Sequence, residues 1–290
     1  MDNIYILMIV ALAVLAIADL VVGVSNDAVN FLNSAIGSKA VSFKTIMIVA
    51  SLGVAFGALS SSGMMEVARK GIFMPSEFYF NEIMIIFMAV MITDILLLDF
   101  FNTLGMPTST TVSIVFELLG AAVVMSLIKI SASEAETISN LGQYINTAKA
   151  TEIILWILLS VVVAFSVGAF VQYSTRLLLT FNFEEKAKWV AALFGGIAAT
   201  AITYFILIKG LKGASFISGD FKSYIYENTY TIVLISFIFW TTLCALITGL
   251  FKMSVYKFII IIGTFAIAMA FAGNDLVNFI GVPIAAWQSY

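Results

Sequence analysis

Apolar runs of about 20 residues recur along this chain, at 4–24, 45–63, 83–104, 109–130, 151–173, 188–208, 229–250 and 257–280. A helix rises about 1.5 Å per residue, so each run is long enough to cross roughly 30 Å of hydrocarbon. A water-soluble domain hides one core beneath a charged surface, and this composition cannot supply such a surface. Hydrophobic residues make up 62% of the 290 positions, charged residues 11%, and the mean hydropathy is +1.09. The expected fold is therefore an all-α polytopic membrane protein. The first run has an acidic rather than a basic lead and continues into polar residues, so it reads as a retained span and not as a cleaved signal peptide.

Other features narrow the function. There is no histidine, which removes the usual proton shuttle near neutral pH, the Ser/His and Cys/His nucleophile pairs and most zinc sites. An enzyme is not expected. The net charge of −3 comes without a basic tract, so nucleic acid is not an expected partner. Cys244 is the lone cysteine and lies within an apolar run; it cannot form an intrachain disulfide and reads as a small lipid-facing or core residue.

Polar connectors lie at 34–44, 64–81, 131–150, 174–187, 209–228 and 251–256. The stretch 130–150 has no apolar run long enough to span and is expected to form an exposed loop or a short surface helix. With the N-terminus outside, Lys39, Lys44, Arg176, Lys186, Lys188, Lys252 and Lys257 fall on the inner side, half of the 14 basic residues. The inner connectors are the shorter and so the denser in charge, which favours this orientation.

Residues 26–31 read NDAVNF and residues 274–279 read NDLVNF, five identities in six positions. The first copy is expected to end the first helix, and the second lies on the eighth, so the two helices cross in opposite senses. Inverted repeats with broken helices are the architecture of many secondary transporters. Within each copy the polar residues share a helical stripe, which Asp19 and Gly23 extend at four-residue spacing. Facing that stripe to lipid would cost several kcal/mol. No Lys or Arg occurs between residues 1 and 38, so Asp27 is protonated, paired by a distant helix, or paired by a bound cation. Carboxylate and carboxamide oxygens are hard ligands suited to sodium; hydrogen bonding between helices is the alternative.

A second constellation is GMPTSTTVS, residues 105–113, in which five of the six residues after Pro107 carry hydroxyls. It reads as a helix start, with Pro107 at or just before the first helical position and Thr108 or Ser109 as the cap. Free amides, the helix dipole and the hydroxyls of Ser109, Thr110 and Thr111 would together bind an anion. A plain capped turn is the alternative. Asp94, Asp99 and Asn102 make the preceding segment unusually polar for lipid.

Taken together, VSNDAVN, AGNDLVN and PTSTT, in this order, resemble the inorganic phosphate transporter (PiT) family of sodium- or proton-coupled phosphate symporters. The resemblance implies two inverted repeats, with Asp/Asn motifs for coupling cations and a re-entrant helical hairpin whose Ser/Thr tip binds phosphate. Carried onto this chain, the cation residues are Asp27, Asn30, Asp275 and Asn278, with sodium at Asp27 and Asp275. Asn26 and Asn274, from the same motifs, are placed with Ser109, Thr110 and Thr111 around phosphate. Three divisions follow: 1–130 as the first repeat with its motif and hairpin, 131–256 as a connecting loop and scaffold helices, and 257–290 as the start of a second repeat. Val24-Ser25 stands where the family has Gly-Ala. A second Ser/Thr hairpin, which the family places after the second motif, is expected beyond Tyr290.

The expected function is symport of inorganic phosphate with sodium or protons by alternating access, in the cell membrane, with no cofactor beyond the coupling ions. A homodimer is compatible with this reading. A sulfate or other oxyanion permease of the same fold is one alternative, since a helix terminus and hydroxyls hold any tetrahedral oxyanion. A passive anion channel is another.

Overall fold

The computed structural model describes residues 2–60, 71–133, 137–181, 188–210, 217–250 and 254–290. The chain runs through α1 (Asp2–Ser38), α2 (Phe43–Ser60), α3 (Phe80–Leu104), α4 (Thr110–Ala132), α5 (Leu141–Tyr144) and α6 (Thr147–Leu179). It continues through α7 (Lys188–Phe205), α8 (Gly219–Glu227), α9 (Thr229–Gly249), α10 (Val255–Asn274) and α11 (Leu276–Ser289). Among the described residues no strand is present beyond an isolated antiparallel bridge between Phe73 and Ile145. Among the described residues eight helical segments are long and apolar enough to cross a membrane, one for each apolar run of the sequence. The protein is thus an all-α, multi-pass membrane protein.

Helix α1 does not end near residue 24; it continues through NDAVNF to Ser38. The polar side chains there do not compete with the helical ladder. Ser25 Oγ donates to the Val21 carbonyl (2.7 Å), and Asn30 Nδ2 donates to Asp27 Oδ1 (3.1 Å), both within the helix. The second copy behaves differently, because α10 ends at Asn274 and α11 begins after Asp275. Only the second motif breaks its helix.

Contacts divide the chain into two units. The first comprises Met1–Asn30, Gly63–Leu159 and Asn274–Tyr290; the second comprises Phe31–Ser62 and Ser160–Gly273. The first unit is organised by the hairpin α3–α4. Gly105 closes α3 in the left-handed conformation (φ 67°), which glycine adopts without the steric penalty of a side chain, and its N–H reaches the Asn102 carbonyl at 3.0 Å. Ser109 caps α4, its Oγ accepting from Val112 N at 3.4 Å. Pro107 therefore sits two residues before the cap rather than in the first turn. At the other end of the hairpin, Lys129 Nζ donates to Glu82 Oε2 (3.0 Å) and to the Glu77 carbonyl (2.7 Å), and lies 4.6 Å from the Tyr79 ring centre. Leu12, Met84, Met91, Leu118, Ala122 and Val282 are among the side chains that fill the space between α1, the hairpin and α11.

The connector 131–150 is less exposed than its composition predicts. Residues 134–136 lie outside the described residues, as do 64–70 of the preceding connector. Tyr144 and Ile145, however, are buried: Met74 N donates to the Tyr144 carbonyl (2.9 Å), Asn146 N to the Ile72 carbonyl (3.0 Å), and the Tyr144 ring packs edge-on against Phe78. Two short segments far apart in sequence pair their backbones, which lets both bury their apolar side chains.

In the second unit small residues bring helices together. A Cβ on Gly53 or Gly57 of α2 would run into the α10 backbone at Phe265 and Met269. On α7, Gly195 and Gly196 lie against Cys244 and Thr241 of α9, and Trp240 Nε1 donates to Thr203 Oγ1 at 2.8 Å. Close backbone approach gives dispersion contacts that lipid would not. Cys244 is fully buried here as a small core residue. Because the obstacle at Gly57 is backbone, Gly57→Ala is expected to lose about 1–3 kcal/mol of stability. Gly120→Ala on α4, where no atom lies within 4 Å of the new methyl, is expected to gain about 0.5–1 kcal/mol from reduced backbone entropy. Thermal unfolding of the two purified variants in detergent checks both signs.

Candidate ion and anion site

Every candidate residue named from the sequence falls in the first unit, and the hairpin tip is held there chiefly by one side chain. Asn26 of α1 uses its whole carboxamide on the tip: Nδ2 donates to Asn102 Oδ1 (3.0 Å) and to the Met106 carbonyl (3.1 Å), while Oδ1 accepts from Thr108 N (2.8 Å). Asn102 Nδ2 in turn donates to the Val22 carbonyl at 2.9 Å. The two asparagines tie the end of α3 and the loop before α4 to a fixed level of α1. Gly23 serves the same packing from another side, for a Cβ there would overlap the ring of Phe279.

The tip so placed faces both motifs. A cavity of about 310 Å³ is lined by Asp27, Asn30, Pro107, Thr108, Ser109, Thr110 and Asp275. Asp27 is buried, its Oδ1 accepting from Asn30 while Oδ2 meets no donor. Thr110 is 1% exposed and its hydroxyl lies beside the Asp27 carboxyl. Thr111 sits behind the cavity wall: its hydroxyl donates to Asp275 Oδ1 (2.9 Å) and accepts from Asn278 Nδ2 (2.8 Å). The first backbone bond of α4 runs from Ser113 N to the Ser109 carbonyl, so the amides of Thr110 and Thr111 precede the helical ladder, as a helix N-terminus requires.

The structure therefore gathers Asp27, Asn30, Ser109, Thr110 and Asp275 around one space. Thr111 and Asn278 form a layer that orients Asp275, and Asn26 is engaged with the tip. The side chain of Asn274 lies outside the described residues. Pro107 and Thr108 line the space as well, although the sequence marked them only as parts of a helix start. Asn102 was visible as a polar residue in an apolar run, but nothing in the sequence paired it with Asn26.

Chemically, the site opposes two kinds of group. One wall presents helix-start amides and hydroxyls, which favour an anion; the other presents two carboxylates, which favour cations. Among the described residues the ion pairs are Lys129–Glu82 and Lys149–Glu152, so neither Asp27 nor Asp275 has a basic partner. Removing Asn26 would take away the partner of the Thr108 N–H and of the Met106 carbonyl, two part-buried hydrogen bonds worth about 0.5–1.5 kcal/mol each. Asn26→Ala and Asn102→Ala are each expected to lower the unfolding temperature and expose residues 105–109 to protease. They share a bond, so the double variant should cost less than the two losses added together.

The pattern of the phosphate transporter family matches residues 23–290. A Pyrococcus furiosus protein named as a candidate phosphate permease is 28% identical over 266 residues, covering 90% of this chain and 61% of that protein. Candidate phosphate permeases of Pyrococcus abyssi and Thermococcus kodakarensis are each 26% identical, with 90% of this chain and 62% of theirs covered. The chain thus spans about three-fifths of the length of these curated relatives. A solved structure titled as the sodium-dependent phosphate transporter superposes with a TM-score of 0.74, at 18% identity, over 97% of this chain and 67% of that one. At this identity the likeness speaks for the fold.

Proposed function

Because the chain belongs to the phosphate transporter family, we propose that it carries inorganic phosphate across the membrane together with cations, sodium foremost, by alternating access. The observation that carries the reading is the single cavity in which Asp27 and Asp275 face the start of α4. Asp27, Asn30, Asp275 and Asn278 serve the cations, with sodium at the two aspartates. Ser109 and Thr110 meet phosphate directly. Thr111 links the two, because its hydroxyl already bonds to Asp275 and Asn278. Asn26 acts by fixing the tip, and Asn274 belongs to the second motif. No cofactor beyond the coupling ions is required. The protein resides in the cell membrane with its N-terminus outside.

Coupling follows from electrostatics. Two charges 4 Å apart interact by about 4 kcal/mol at an effective dielectric of 20, so a phosphate dianion cannot enter beside two uncompensated carboxylates. Cations bound first turn repulsion into attraction, and the anion then enters a site that is close to neutral. Sodium suits the site better than protons, since Asn30 and Asn278 add oxygen ligands beside the carboxylates.

Asp27→Asn and Asp275→Asn are expected to abolish sodium-stimulated phosphate uptake into proteoliposomes while protein abundance is kept. Normal stimulation in both variants would refute the cation assignment. Sulfate competing as well as phosphate would point to a general oxyanion carrier, and uptake indifferent to the sodium gradient to a passive channel. The two threonines should separate. A hydrogen bond to a charged ligand is worth about 1.5–3 kcal/mol, so Thr110→Val should raise the half-saturating phosphate concentration roughly tenfold or more at saturating sodium. Thr111→Val should chiefly raise the sodium requirement, because its partner is Asp275. Equal phosphate affinity in Thr110→Val and the unmodified protein would remove the tip from the substrate site.

A further inference from the structure

The first unit holds a second set of carboxyls that the transport reading does not use. Asp94 of α3 and Glu117 of α4 both turn to Ser113, whose Oγ is hydrogen-bonded to Asp94 Oδ1 and lies 2.8 Å from Glu117 Oε1. One hydroxyl carries one hydrogen and can donate to one of them at a time. Asp19, from α1, is aimed into this pair: it is fully buried, neither of its oxygens meets a donor, and its carboxyl stands within hydrogen-bonding reach of Asp94. Asp94 Oδ2 and Glu117 Oε2 are buried without a donor as well.

Three ionised carboxyls cannot share such a place. Each pair would repel by about 4 kcal/mol at 4 Å even at an effective dielectric of 20, in addition to the cost of desolvation. Among the described residues no Lys or Arg reaches them, since Lys129 is held by Glu82 and Lys149 by Glu152. Helix α11, which also packs on the hairpin, contains no charged residue. Asp27 also interacts with Asp94 and would add negative charge. No group of three acidic or sulfur or imidazole ligands with metal-holding geometry occurs among the described residues. Two carboxyls face to face become a hydrogen bond as soon as one of them carries a proton.

We propose that Asp19, Asp94 and Glu117 form a proton-binding carboxyl triad, distinct from the cavity of Asp27 and Asp275, in which protons are shared through Asp94 and the Ser113 hydroxyl. Glu117 lies about two helical turns along α4 from Thr110 of the hydroxyl tip, so the protons of the triad lower the negative charge beneath the anion site. That consequence rests on the phosphate reading; the triad itself does not.

The test is infrared spectroscopy of the full chain in detergent at neutral pH, where the carbonyl stretch of a carboxylic acid is separate from carboxylate bands. The unmodified protein should show an acid band that loses intensity in Asp19→Asn and in Glu117→Gln, and that survives exchange of potassium for sodium in the buffer. The variants lie on different helices, so misfolding of one leaves the other informative, and no transport is needed for the readout. Absence of the band, equal intensity in the folded variants, or disappearance of the band on adding sodium would each overturn the proposal, the last in favour of a sodium site.

Discussion

A carboxamide inside an apolar helix must find partners or cost the fold a few kcal/mol, and Asn26 finds three, all on the segment from Asn102 to Thr108. That requirement fixes more than one side chain. It sets the height of the hairpin tip against α1, and with it the distance from the start of α4 to Asp27. The left-handed turn at Gly105 and the cap at Ser109 shape the tip locally, but neither could choose which level of α1 it meets. The cavity between the aspartates and the hydroxyls is a consequence of how Asn26 is satisfied.

The two units use different means of holding helices together. The second relies on small residues, with Gly53, Gly57, Gly195 and Gly196 admitting a neighbouring helix to van der Waals contact. Such packing is directional only in shape. The first unit adds hydrogen bonds between elements far apart in sequence, from Asn102 to Val22 and from Thr111 to Asp275. These bonds specify register as well as proximity, which a site assembled from three chain segments needs. The Lys129–Glu82 pair and the bridge between Phe73 and Ile145 close the opposite end of the hairpin, so the tip is carried on a helix pair anchored at both ends.

Negative charge is the recurring physical problem of the first unit. Asp19, Asp27, Asp94, Glu117 and Asp275 all lie in segments apolar enough to cross the membrane or at their junction, and none has a basic partner among the described ion pairs. Buried carboxylates without compensation are too costly to be incidental. Each group is explained if the protein holds cations, sodium at one cluster and protons at the other, and an anion can then approach an otherwise forbidding interior.

The sequence alone determined the class of the fold, because only runs of about 20 apolar residues can cross hydrocarbon and each such run became a helix long and apolar enough to do so. It also marked the candidate site residues: polar residues in lipid-compatible runs are expensive, so NDAVNF, NDLVNF and PTSTT stood out. Local rules likewise gave the start of α4 at the hydroxyl run, since capping depends on neighbours in sequence. Tertiary structure decided the rest. Whether a motif breaks its helix depends on where its side chains find partners, and so α1 runs on through Asn26 and Asp27 while the chain breaks at Asp275. The burial of Tyr144 and Ile145 needed the distant segment at Ile72 and Phe73. The meeting of Asp19 with Asp94 and Glu117, and of Asn26 with Asn102, joins residues more than seventy positions apart. No periodicity encodes such pairs, because they depend on which helix faces lie together once the chain has packed.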